Sequence, residues 1–161
     1  QRLIGDSMRS IGKTTMVSAT RRFLILCAVA AALNVLWERS HVGLYTSYER
    51  LTDLPITYYA VAGDVMYTLF AVFVVSLFKG RLDWVAALSA RDIVGLALLG
   101  FWIAIFVEYK ALALHSWAYL DTMPILPFFN VGLTPVLQMA ILLPLSVFLV
   151  SEIDKAVRRL S

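Results

Sequence analysis

Four long apolar stretches, separated by segments rich either in charge or in aromatic residues and proline, set the plan of this chain. A bilayer core takes roughly 20 residues of helix, and apolar runs of that order lie at about residues 20–37, 58–78, 93–109 and 132–150. The pattern predicts an all-α fold: a polytopic membrane protein with four transmembrane helices in one membrane domain, built as two tandem helical hairpins. The first and third runs hold only about 15 strictly apolar residues, so their polar ends must reach the interface.

The polar segments differ from one another. The connection 79–92 is short and carries Lys79, Arg81 and Arg91, whereas the other two connections run to about 20 residues and are rich in Tyr, Trp and Pro. Five Lys and Arg precede the first run, three lie in the short connection and three follow the last run, making eleven on one side; only Arg39, Arg50 and Lys110 fall on the other. By the positive-inside rule both termini are then cytoplasmic and both long loops face outward. Residues 1–22 read as a basic cytoplasmic arm. Arg21-Arg22 before FLILCAVAAA also has the form of a signal peptide, although a retained first span is the expectation here. Trp37, Tyr45, Trp117 and Tyr119, with Tyr48, Tyr58, Tyr59 and Tyr109, would form an outer aromatic belt.

Composition sharpens the class. Of 161 residues, 60% are apolar and 16% charged, with a mean hydropathy of +0.78, against about 45–50% apolar in soluble domains. The single cysteine, Cys27, excludes an internal disulfide framework and a multi-cysteine metal site. The net charge of +3 does not imply nucleic acid, because the basic residues flank apolar runs, where anionic lipid accounts for them. The expected partners are membrane lipids and other membrane subunits or a second copy of the chain.

Against this background the polar residues inside or beside the spans carry the candidate chemistry: Asn34, Glu38, Arg39, His41, Asp64, Glu108, His115 and Gln138. Asn34 and Glu38 are four apart and Glu38 and His41 three apart, so all three share one helical face. Asp64 lies six residues beyond Tyr58, or about 9 Å along a helix at 1.5 Å per residue, where a carboxylate is costly unless it pairs, holds a proton or works. Asn34 and Arg39 are its expected partners. Thr134 and Gln138 share a face of the fourth span, where Gln138 reads first as a bond between helices and Pro135 and Pro144 as breaks in the hydrogen-bond ladder. Glu38-x-x-His41 has the spacing that di-iron bundles use, which makes Glu38, His41, Asp64 and Glu108 candidate metal ligands. A second such motif is missing, since His115 follows Glu108 by seven, and the plainer reading is of acids and histidines wetted at the interface, with Asp121 among them. No cofactor is evident: there is no GxGxxG, P-loop or CxxC, and Ser40, Ser47 and Ser116 lack a nucleophile elbow.

An internal repeat underlies the layout. Glu38 lies seventeen residues before Pro55-Ile56, which reaches Gly63 eight residues on, and Glu108 lies sixteen before Pro124-Ile125, which reaches Gly132 eight residues on. Two copies in one orientation imply a pseudo-two-fold axis along the membrane normal. Glu38 and Glu108 would then meet at one depth, with Gly63 and Gly132 at close backbone approaches.

The residues Asn34-Val35-Leu36-Trp37-Glu38, Tyr45, Gly63-Asp64, Glu108, Trp117-Ala118-Tyr119, Met123-Pro124 and 131–138 (VGLTPVLQ) give the chain its one likeness. In these it resembles a family of small, uncharacterised bacterial multipass membrane proteins. The resemblance implies a four-span fold without naming a reaction, and it points to Glu38, Asp64, Glu108, Trp117, Tyr119 and Gln138. Size and short loops suggest first an accessory subunit packed on a larger membrane complex. The alternatives are a lipid-head-group-binding protein or membrane enzyme with a carboxylate and histidine site at the outer leaflet, and a small proton- or ion-coupled transporter.

Overall fold

The computed structural model describes residues 2–48 and 56–160, with the side chains of 17–45 and 57–160. Pro55, Arg50 and the side chains of the first sixteen residues lie outside that set. The apolar runs form four helices, α1 (Arg2–His41), α2 (Ile56–Lys79), α3 (Ala90–Ala113) and α4 (Leu133–Leu160). Each contains 23 to 28 residues long and apolar enough to cross a membrane. The chain is therefore an all-α integral membrane protein. The helices overrun the apolar runs because capping, and not hydropathy, ends them. At the start of α3 the Ser89 hydroxyl accepts the Asp92 N–H at 3.3 Å while the Asp92 carboxylate accepts the Ser89 N–H at 3.0 Å, which satisfies two orphan donors at once.

The fourth helix is the centre of the bundle: 56% of its most apolar window is buried, against 22% for each of the others. α3 and α1 both pack on α4, and α2 packs on α1, whereas α2 and α3 scarcely meet. The α3–α4 contact is possible because Gly100 has no side chain. A Cβ there would lie 2.4 Å from the Met139 carbonyl oxygen. The sequence reading placed the close approaches elsewhere, and it is corrected at Gly63, where an added Cβ meets nothing within 4 Å. Gly132 is tight, with a Cβ 3.2 Å from Met123 Sδ and from the Pro135 ring. Pro135 is the third residue of α4, where no ladder bond is lost, so it does not break the helix. Pro144 alone lies in its interior.

One end of the bundle is basic and tightly tied. Leu26, Ala71, Leu96, Leu143, Val147 and Val150 pack around Trp84, which is fully buried in a short 3-10 turn, Trp84–Ala87. Its indole donates to Ser76 Oγ at 2.8 Å. Lys79 sits 5.6 Å over the ring and 2.7 Å from an Asp92 carboxylate oxygen. The buried Asp154 receives Arg21 at 2.5 Å, Arg22 at 3.4 Å and Arg158 at 2.8 Å. The expected basic arm is thus part of α1, and its last two arginines bind the opposite end of the chain.

The other end carries two small ribbons where loops were expected. β1 (Tyr45–Tyr48) pairs antiparallel with β2 (Trp117–Tyr119), and β3 (Ile125–Leu126) pairs antiparallel with β4 (Val131–Gly132). Aromatic and β-branched residues favour the extended backbone there. β1 and β2 follow Glu38 and Glu108 at similar distances, and two segments related by a two-fold axis across them must run antiparallel. The symmetry does not extend to the helices, since α1 meets α4 while α2 and α3 stay apart.

Candidate functional site

Beneath the β1–β2 ribbon, and between α2 and α3, lies a cavity of about 290 Å³. Every helix contributes a polar residue to its surroundings. On α1, Asn34, Glu38 and His41 are buried, while Leu36, Arg39 and Ser40 are exposed, as the three- and four-residue spacing requires. Asp64 comes from the third turn of α2, Glu108 from near the end of α3, and Gln138 from the second turn of α4.

Gln138 ties three of these together. Its amide nitrogen lies 2.9 Å from Asn34 Oδ1, 2.9 Å from Glu38 Oε1 and 2.8 Å from Asp64 Oδ2. Asn34 is held in turn by its own donation to the Ala30 carbonyl at 2.9 Å. An amide nitrogen carries two hydrogens, so the three oxygens cannot all be served at once. His41 Nε2 approaches Glu38 Oε1 at 3.3 Å, and the buried His41 Nδ1 has no partner among the described residues.

Glu108 is held from the ribbon. The Trp117 indole donates to Glu108 Oε2 at 3.2 Å, and the Tyr119 hydroxyl donates to the same oxygen. The Tyr119 oxygen also accepts the Gly132 N–H at 2.9 Å, which fixes the phenol at the start of α4. Alternation along a strand puts residues two apart on one side, so Trp-x-Tyr delivers both donors to one carboxylate. Burial first, and then the adjacent Glu108 carboxylate, push the Tyr119 phenol above the ordinary tyrosine range, so it remains a proton donor. Tyr45 completes the roof, its ring 5.5 Å from His41, 6.2 Å from Trp117 and 5.8 Å from Tyr119.

The structure thus gathers Asn34, Glu38, His41, Asp64, Glu108 and Gln138, and separates the remaining candidates. His115 is exposed at a positive φ of 53° and lies off the cavity. Arg39 is exposed and makes no ion pair among the described residues, because it follows Glu38 by one and so faces away from Asp64. Asp121 is also exposed and away from the cavity. Trp117 and Tyr119, read from the residues as belt aromatics and pointed to by the resemblance, are partners of Glu108; their donor groups and alternate spacing are the local signal for that role. Trp37 stays at the rim, edge-on to His41 at 6.4 Å. Among the described residues no group of three His, Cys, Asp or Glu is placed to hold a metal ion, because Glu38, Asp64 and Glu108 are spread around the cavity and bridged by Gln138, Trp117 and Tyr119.

Three carboxyls and one imidazole thus border one partly apolar space. The chain matches no family model, no curated protein and no solved structure, so the site is read from its own geometry.

Proposed function

We propose that this protein binds a lipid-soluble molecule in the cavity between α2 and α3 and exchanges protons with it through Glu38, Asp64, Glu108 and His41. The observation that carries this reading is the convergence of three carboxyls on a cavity where, among the described residues, no lysine or arginine pairs with any of them and only the His41 imidazole approaches one, Glu38. An intramembrane acid without such a use is an expense that selection for stability alone would remove. Apolar and aromatic residues, among them Ala60, Tyr67, Val107, Leu114 and Met139, line the rest of the space and suit a hydrocarbon body. Work as an accessory subunit, the first expectation from size, gives the buried acids no task. Transport across the membrane needs a path past the cluster around Trp84, Leu96, Leu143 and Val147, which is closely packed.

Gly63 supplies a test that leaves the acids untouched, since a side chain added there enters open space in the cavity wall. Native mass spectrometry of the protein released in mild detergent should show one retained small molecule on the wild type and none on Gly63→Phe, at an unchanged melting temperature. Asp64→Asn should also lose occupancy while melting within a few degrees of wild type. A marked drop in its melting temperature with occupancy retained would make Asp64 a structural partner instead, and a wild type that carries nothing would defeat the reading.

We further place the basic end in the cytoplasm of a bacterial cell and the cavity in the outer leaflet of its inner membrane, on the eleven-to-three distribution of Lys and Arg. Single cysteines at two exposed positions, Leu82 and Thr122, report the orientation. An impermeant thiol reagent added to intact cells should label Thr122→Cys and spare Leu82→Cys; the reverse pattern would invert the topology.

A further inference from the structure

We infer that the ligand of this cavity is a lipophilic amine, held by its ammonium group against Glu38, Asp64 and Glu108. The inference rests on the binding site proposed above and goes on to name its ligand's chemistry. It follows from which atoms of the site are already used. Gln138 occupies Glu38 Oε1 and Asp64 Oδ2, and Trp117 and Tyr119 occupy Glu108 Oε2. Among the described residues no donor meets Glu38 Oε2, Asp64 Oδ1 or Glu108 Oε1, and all three residues line the cavity. His41 is 5% exposed, and its buried Nδ1 has no partner among the described residues.

The carboxyl oxygens left over on the cavity lining, one each from α1, α2 and α3, are therefore all acceptors, and they share that lining with the donor groups of Tyr67, Lys110 and Ser116. The ligand group that complements three such oxygens is one that only donates. An alkylammonium has that property and also carries the charge that three carboxyls favour. The chain does not supply the group itself. Lys110 borders the cavity but makes no ion pair with any of the three acids among the described residues, being two residues, and so more than half a turn, away from Glu108 on α3. Tyr67 and Trp117 add ring faces that suit a cation. A phospholipid ammonium is disfavoured, because its phosphate would enter beside the same carboxyls. A metal ion would leave the apolar walls without a partner.

Three probes with one tail and different heads test this: dodecylamine, dodecanol and dodecanoic acid, titrated into the full-length protein in phosphatidylcholine nanodiscs and read by melting temperature and by native mass spectrometry. Dodecylamine should bind at least tenfold more tightly than dodecanol, and dodecanoic acid more weakly than both. Asp64→Asn should weaken dodecylamine at least tenfold with little change for dodecanol, and Gly63→Phe should abolish binding of all three. Equal affinity for amine and alcohol, with both lost in Gly63→Phe, would overturn the amine assignment and leave the cavity reading standing. An amine preference that survives Gly63→Phe would place the amine on surface charges and overturn the assignment, and failure of all three tails to bind would overturn both.

Discussion

Asp154→Ala is expected to lower the unfolding free energy by about 3–5 kcal/mol, the usual effect of removing one partner of a buried ion pair and leaving the other uncompensated. The carboxylate is 1% exposed and faces three guanidiniums, of which Arg22 has a side chain only 7% exposed. Arg158, 51% exposed, can turn to water when its partner is lost, and Arg21 at 33% can do so in part. Arg22 has no such escape without moving α1. Asp154→Asn, which keeps the shape and loses the charge, should fall between the variant and the wild type. Thermal unfolding of the purified variants checks this; a loss under about 1 kcal/mol, the range of an exposed pair, would show that α1 shifts freely to hydrate Arg22.

Gly100→Ala should be the most damaging single-methyl addition in the bundle. Overpacking typically costs about 1–3 kcal/mol, and more where the neighbour cannot turn aside. Here the neighbour is the Met139 carbonyl, at 2.4 Å from the new carbon, and it belongs to the central helix one residue from Gln138. Relief therefore requires α3 and α4 to separate, which would carry Glu108 away from Gln138 and loosen the cavity as well as the core. The contrasting substitution Gly63→Ala meets open space and should change the melting temperature little. Equal effects of the two would mean that α3 and α4 part more easily than their contact implies.

The four spans were legible because a bilayer demands long apolar helices, and hydropathy reads that demand directly. The site was legible in part. The spacing of Asn34, Glu38 and His41 and the high cost of Asp64 within a span identified two of its helices, and the repeat brought Glu108 to the same end. Pairing across elements left weaker marks. Gln138 reads as a bond between helices, and it is one, but nothing local says which three oxygens of two other helices it meets. The expected Arg39–Asp64 pair failed because charge complementarity in a sequence says nothing of which helical face each group occupies. Trp117 and Tyr119 were absorbed into an aromatic belt for a similar reason: interfacial aromatics are common, and their hydrogen-bond partner lies in a different element. Trp84 and Gly100 gave no signal beyond their residue types, since their importance comes from the particular surface each one meets.

The tie between the first and last helices has a consequence for how the protein is made. α1 leaves the ribosome first and α4 last, and both Gln138 and Asp154 reside on α4. Until that helix is synthesised, Asn34, Glu38 and Asp64 lack the amide that joins them, and Arg21 and Arg22 lack their counter-ion. The nascent chain must therefore carry three polar side chains through most of its synthesis without their final partners, sheltered by the insertion machinery, by water or by one another. Insertion of α4 supplies both sets of bonds together, at opposite ends of the bundle. Chains cut short before residue 133 should accordingly be recognised and degraded as unfinished, even though three of the four spans are present.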